Sequence, residues 1–228
     1  MVVFYNISHR FKRWARKDKA QGTALSGLYE QHPFSRTQLF CDTRFLVVDC
    51  EMSGLDPKKC DLLSIGWVLI ENGRIVNASA KHLLIHTDKG AGDSIKIHGL
   101  HDSNIAGAKS VAAVLMLLMK QMQDCIVVFH HAPIDIRFIQ KATLEVFRCP
   151  LFFTSLDTMV LEKRRMQLQG KHHSLRLSEC RKRYGLAPVN QHNALADARA
   201  TAELLLAQMA YTGDVGTLKL GHLPLAAV

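Results

Sequence analysis

Phe45-Leu46-Val47-Val48-Asp49-Cys50-Glu51 is the stretch on which the fold turns. Its apolar, β-branched start describes a strand inside a core, and its acid-thiol-acid finish describes that strand leaving the core. Residues two apart on a strand share a face, so Asp49 and Glu51 stand side by side while Cys50 enters the opposite layer. Two such carboxylates repel and raise each other's pKa unless a cation neutralises them, and hard oxygen ligands suit Mg²⁺ or Mn²⁺. Many ordinary strands also run into a turn through acidic residues, so the pair needs corroboration from elsewhere in the chain.

Outward from this strand the pattern is regular. Residues 62–70 form a second apolar strand, Glu71-Asn72-Gly73-Arg74 is a hairpin turn signal, and residues 75–85 return, giving a three-strand meander. A helix over 110–123, a buried strand over 125–129 and a helix from Pro133 to about residue 147 imply a crossover connection. Further helices are expected over 158–167, over 174–184 ended by Gly185, and over 194–211 ended by Gly213. The sum is an α/β chain, a mixed sheet flanked by helices.

Two further acidic positions fall where such a sheet places its sites. Asp135 follows a buried strand at the start of a helix, at the carboxyl end of the sheet; favouring the helix dipole or capping the helix is its alternative role. Asp197 lies on the edge of a small-residue helix face made by Ala194, Ala198, Thr201 and Leu205, and His192 precedes that helix.

The chain has 228 residues, nearly half of them apolar, which is enough for one well-buried domain with appendages. Its net charge of +9 favours polyanionic partners, nucleic acid among them, although excess lysine can also be merely solvated. Six cysteines with no C-x-x-C pair suggest neither a zinc site nor a disulfide framework, and so a reducing, cytoplasmic setting. The longest near-apolar run, 111–119, is far below the roughly 20 residues of a membrane span, and the N-terminus lacks a signal peptide's apolar stretch, so no membrane association is expected. Before residue 44, Arg10, Lys12, Arg13, Arg16, Lys17 and Lys19 interleave with Phe11, Trp14 and Ala15 as a short basic helix that could follow a phosphate backbone, dock a partner or pack on the domain. The division expected is a basic extension (1–43), a main α/β domain (44–213) and a C-terminal tail (214–228). Lys163, Arg164, Arg165, Lys171, His172 and His173 could add a basic rim or a solvated loop.

Taken together, D-x-E on the first strand, Asp135 at a later strand-to-helix junction and H-x₄-D leading into the last long helix resemble the DEDDh exonucleases, the superfamily of the proofreading epsilon subunit of bacterial DNA polymerase III, ribonuclease T and oligoribonuclease. The likeness spans about residues 44–211 and includes Ile97-His98-Gly99-Leu100, Leu156-Asp157-Thr158, and Ser174-Leu175 followed by Tyr184-Gly185-Leu186. It implies a ribonuclease H-like exonuclease fold with a mixed five-stranded sheet. It implies that Asp49, Glu51, Asp135 and Asp197 hold two Mg²⁺ or Mn²⁺ ions and that His192 is the general base. Attack from the 3′ end, release of nucleoside 5′-monophosphates, and single-stranded DNA or RNA 3′ ends as partners follow from the same resemblance, with DNA repair or proofreading beside a polymerase or repair complex as the setting. RNA trimming and a catalytically silent binding subunit are the alternatives. By position, Met52, Ser53, Gly54, His98 and Ile134 would contact the terminal nucleotide. Here the chain departs from its relatives, which usually carry two threonines and a glycine where this one has Met52-Ser53-Gly54, and His-Asn with a phenylalanine before the aspartate where this one has His130-His131 and Ile134. An aromatic ring stacked on a base at that position is worth about 1–3 kcal/mol. A zinc site built from His98, His101, His130 and His131 is the competing metal assignment.

Overall fold

A computed structural model describes residues 7–86, 108–170, 173–189 and 193–228. Its strands are β1 (Arg44–Met52), β2 (Leu62–Glu71), β3 (Arg74–Leu84), β4 (Cys125–Phe129), β5 (Thr154–Asp157) and β6 (Ala226–Ala227). Its α-helices are α1 (Ile7–Trp14), α2 (Lys17–Ala20), α3 (Ser26–Glu30), α4 (Val111–Met122), α5 (Ala132–Phe147), α6 (Thr158–Leu168), α7 (Leu177–Arg183) and α8 (Ala194–Tyr211). The strands form one mixed sheet in the order β3-β2-β1-β4-β5-β6, with β1, β4 and β5 parallel and the other pairings antiparallel.

The sheet has six strands where five were expected. The sixth is two residues long, pairing Ala226 with Ser155 and Ala227 with Thr154, too short for any alternation to announce it. The helix expected over 174–184 is also shorter, because the Ser174 hydroxyl accepts the Arg176 N–H in a local turn instead of a helical one (3.3 Å).

The apolar runs of the central strands reflect burial on both faces. Leu46, Val48, Cys50, Ile65, Trp67, Val127 and Phe129 enter one layer, with Leu115 and Leu118 of α4 and Phe138 and Ile139 of α5. Their neighbours Phe45, Val47, Val68, Ile70, Ile126 and Val128 enter the other, with Ala202, Leu205 and Met209 of α8. Segments outside 44–213 join both layers: Ala20, Leu25, Leu28 and Tyr29 pack in the first, and Phe40 and Leu220 in the second. No helix among the described residues is long and apolar enough to cross a membrane.

Candidate active site

β1 and β4 pair only as far as Val47 and Val128, so beyond that point the β1 edge facing β4 lacks a ladder partner. Asp135, in the first turn of α5, fills the gap: its Oδ1 accepts the Cys50 N–H at 3.0 Å. This puts a buried carboxylate at the carboxyl end of the parallel strands, beside the positions from which Asp49 and Glu51 project.

The fourth carboxylate arrives on α8, and the residue that admits it is Gly66. Gly66 pairs with Asp49 across β1 and β2. A Cβ at Gly66 would stand 2.3 Å from the Ala194 carbonyl carbon and from Leu195 N, well inside any permitted contact. The first turn of α8 therefore lies directly on the β2 backbone, one strand away from Asp49. Asn193 fixes that turn, its side chain accepting from Leu195 N and Ala196 N at 3.1 Å each. Asp197 follows, nearly buried like Glu51.

The result is a three-carboxylate cluster: oxygens of Asp49, Glu51 and Asp197 all lie within 4.8 Å of one another. Asp135 stands beside this trio, outside that mutual distance but close enough for its charge to act on it. Burial is the first cause that raises the Asp49 carboxyl well above the usual range, followed by the charges of Asp135, Asp197 and Glu51. Glu51 is raised to about 7 by burial, then by Asp197 and Asp135. Asp135 reaches about 7 because burial outweighs the hydrogen bonds from its own backbone and from Cys50. The Cys50 thiol, buried among these carboxylates, is also held well above its usual range and stays protonated.

Glu162 shows what a buried carboxylate looks like when the protein supplies the countercharge. Burial alone would raise it, yet hydrogen bonds from Arg165, Tyr184, Arg183 and Gln208 hold it at about 2. The donors sit 2.8 Å away for Arg165, Arg183 and Tyr184, and 3.2 Å for Gln208. Arg165 is thereby committed to the interior and leaves the basic rim, whereas Lys163, Arg164 and His173 are exposed. At the Asp49 cluster the influences on Asp49 and Glu51 all point upward. Closely set hard oxygen donors under mutual repulsion fit a divalent cation, which would relieve both burial and repulsion.

The remaining expected residues divide by role. Met52 and Ile134 are half-buried against the first apolar layer. The Ser53 hydroxyl accepts Asp61 N at 2.9 Å while Ser53 N donates to Asp61 O at 3.0 Å, closing the loop after β1. A Cβ at Gly54 would meet Cys60 Sγ at 2.7 Å. Lys141 Nζ clamps the loop to α5 through Cys60 O and Asp61 Oδ1, both at 3.0 Å. His192, His98, His101, Lys171 and His172 lie outside the described residues. His130 is a poor zinc ligand, since its Nε2 donates to Leu175 O and its Nδ1 meets Thr158 Oγ1, both at 2.8 Å; burial lowers its pKa and keeps it neutral.

Two residues central to the site carry no sequence signal of that role. Gly66 acts through a tertiary contact. Asp157 accepts His131 N at 3.0 Å and Ala132 N at 2.9 Å with its two oxygens, and also Met159 N at 2.8 Å. It thus caps α5 and α6 together, because His131, in the left-handed region at φ 74°, makes no side-chain cap of its own. That cap fixes the helix turn from which Asp135 projects.

Comparison with known proteins bears on the family and the fold. An exonuclease family model, RNase T, matches residues 46–205. A PolC-type DNA polymerase III of Thermotoga maritima is 31% identical over 185 residues, 81% of this chain but only 13% of that protein. The DNA polymerase III epsilon subunit of Aquifex aeolicus is 29% identical over 170 residues, covering 72% of this chain and 80% of the subunit. Among solved structures, exonuclease I superposes with a TM-score of 0.63 at 15% identity, covering 74% of this chain and 41% of that one. Cell-death related nuclease 4 gives 0.62 at 14% identity, covering 77% and 67%. These structural likenesses concern the fold.

Proposed function

The chain belongs to the RNase T exonuclease family, and from that premise we propose that it is a DEDDh-type 3′–5′ exonuclease acting on single-stranded or frayed nucleic-acid 3′ ends. Release of nucleoside 5′-monophosphates in DNA repair or proofreading is the setting proposed. The observation that carries the reading is the convergence of Asp49, Glu51 and Asp197 oxygens within 4.8 Å, from β1 and from the last long helix of the chain. Such convergence costs stability through repulsion and is repaid only when cations enter.

Asp49, Glu51, Asp135 and Asp197 are the residues proposed to hold two Mg²⁺ or Mn²⁺ ions. Bound there, the ions would neutralise charge on the attacking and leaving oxygens of an in-line phosphoryl displacement. Asp135 orients the site through the Cys50 N–H. His192 is proposed as the base that takes the proton of the attacking water, a task suited to an imidazole of ordinary pKa near 6.5. Met52 at the end of β1, Ser53 and Gly54 in the loop that follows, Ile134 at the start of α5, and His98 are proposed to meet the terminal nucleotide. Single-stranded substrate is supported by relatives of this fold, since E. coli exonuclease I has been solved with a dT13 oligonucleotide; a polymerase partner is supported by the polymerase III relatives.

The test is trimming of matched, labelled single-stranded DNA and RNA with Mn²⁺, resolved by product length. Asp49→Ala and Asp197→Ala should each abolish trimming while the metal-free protein keeps its fold and its melting temperature or gains slightly. Full activity in either variant would remove the site assigned here.

A further inference from the structure

Ser64 is 1% exposed, and its hydroxyl has no hydrogen-bond partner among the described residues. A buried hydroxyl left in this condition has given up its hydration without compensation. Its position is specific. Ser64 is the β2 residue directly opposite Glu51, and side chains opposite one another on antiparallel strands lie on the same face with Cβ atoms about 5 Å apart. Two residues along, the corresponding pair is Asp49 and Gly66, on the face that α8 covers. Ser64 therefore stands beside Glu51 on the carboxylate side of the sheet.

A carboxylate that holds a cation through one oxygen is ordinarily oriented by a donor on the other, and such outer partners matter to metal affinity by about 10–100-fold. We propose that Ser64 is the positioning residue of the metal site: its hydroxyl donates to the Glu51 carboxylate when the cluster is loaded, so that the group lacking a partner in the metal-free chain acquires one on binding. This inference rests on the metal-site reading above and deepens it.

The experiment is titration of full-length protein with Mn²⁺ alone, followed by calorimetry, for wild type, Ser64→Ala and Ser64→Thr, together with metal-free melting curves. Ser64→Ala should weaken Mn²⁺ binding about tenfold while the metal-free melting temperature holds or rises, because an orphaned polar group has been removed. Ser64→Thr, which keeps the hydroxyl, should bind Mn²⁺ more tightly than Ser64→Ala. A merely structural serine would, on replacement by alanine, lower the metal-free melting temperature and leave affinity alone, and equal affinity in wild type and Ser64→Ala overturns the role. Wild-type protein that binds no Mn²⁺ overturns the metal site itself, and this inference with it.

Discussion

At the level of single residues, the contrast between Glu162 and Glu51 shows how one chain keeps one buried carboxylate ionised and lifts another toward neutral pH. Glu162 is surrounded by donors and held at about 2; Glu51 and Asp135 are raised to about 7. For a carboxyl raised on folding, the folded chain prefers the protonated form. Its contribution to stability is intact below the unfolded value near 4.5 and is lost as pH rises toward 7. The metal-free protein should therefore be less stable at pH 8 than at pH 5, by on the order of 3 kcal/mol for Glu51 taken alone. Mn²⁺ should reverse the trend, because protons and the cation compete for the same oxygens. Denaturant melts at both pH values, with and without Mn²⁺, check this: the stabilisation by Mn²⁺ should be large at pH 8 and small at pH 5, and a metal effect indifferent to pH would show that these carboxyls are not its ligands. The D-x-E pair, Asp135 and Asp197 were legible in the sequence because acids at strand ends and helix starts are local features. The Ser64 hydroxyl and the Asp157 double cap were not, since each acquires its meaning from a strand or helix distant in the chain.

At the level of elements, periodicity revealed nearly every strand and helix that builds the site. The run 45–48 is apolar without alternation because successive residues feed two different layers, and that same two-sided burial marks β2 and β4. What periodicity could not reveal is how closely α8 approaches the sheet. A glycine inside a strand signals a bulge or a close approach without saying to what, and Gly66 resolves into a seat for Ala194 and Leu195. Gly66→Ala tests this directly. Backbone atoms at 2.3 Å cannot yield as a flexible side chain would, so α8 must retreat by roughly 1 Å to restore a normal carbon contact. Overpacking of this kind costs about 1–3 kcal/mol. Because Asp197 lies in the first turn of the same helix, Mn²⁺ affinity should fall at least tenfold. The two readouts belong together: loss of stability with unchanged metal affinity would mean that the helix tilts about its far end and that the seat does not set the carboxylate spacing.

Across the whole molecule, the charge of +9 and the fold occupy different regions of the N-terminal segment. Its first part is a basic helix with Phe11 62% and Trp14 71% accessible, Lys12 and Arg16 exposed, and Arg13 half-buried with its guanidinium donating to Gln31 O. Its second part is core. Tyr29 donates to Pro150 O at 2.7 Å and packs edge-on against Phe152 at 5.2 Å; Phe40 stacks on Phe45 at 4.6 Å. Phe40 N and Leu220 N bond Leu218 O and Gln38 O across to the C-terminal segment, at 2.8 and 2.9 Å. Removing residues 1–43 would strip Ala20, Leu25, Leu28, Tyr29 and Phe40 from two layers. At about 1.5–3 kcal/mol for each large side chain, that approaches the 5–15 kcal/mol on which a domain depends, so the shortened chain should fail to fold. Removing residues 1–16 leaves that core whole and deletes the basic helix, so the melting temperature should hold. Tyr29 reaches Pro150, just before β5, whereas Asp49 and Glu51 project from the far end of β1; the basic helix therefore stands at the opposite end of the sheet from the carboxylates. A short oligonucleotide held only at the carboxylates should be trimmed at the same rate by both forms, while a long one should bind the truncated form more weakly at low salt. For every phosphate that the helix would have neutralised, the salt dependence should flatten by about 0.7 in slope for a single strand. Affinity and slope both unchanged for long oligonucleotides would assign these cations to solvent.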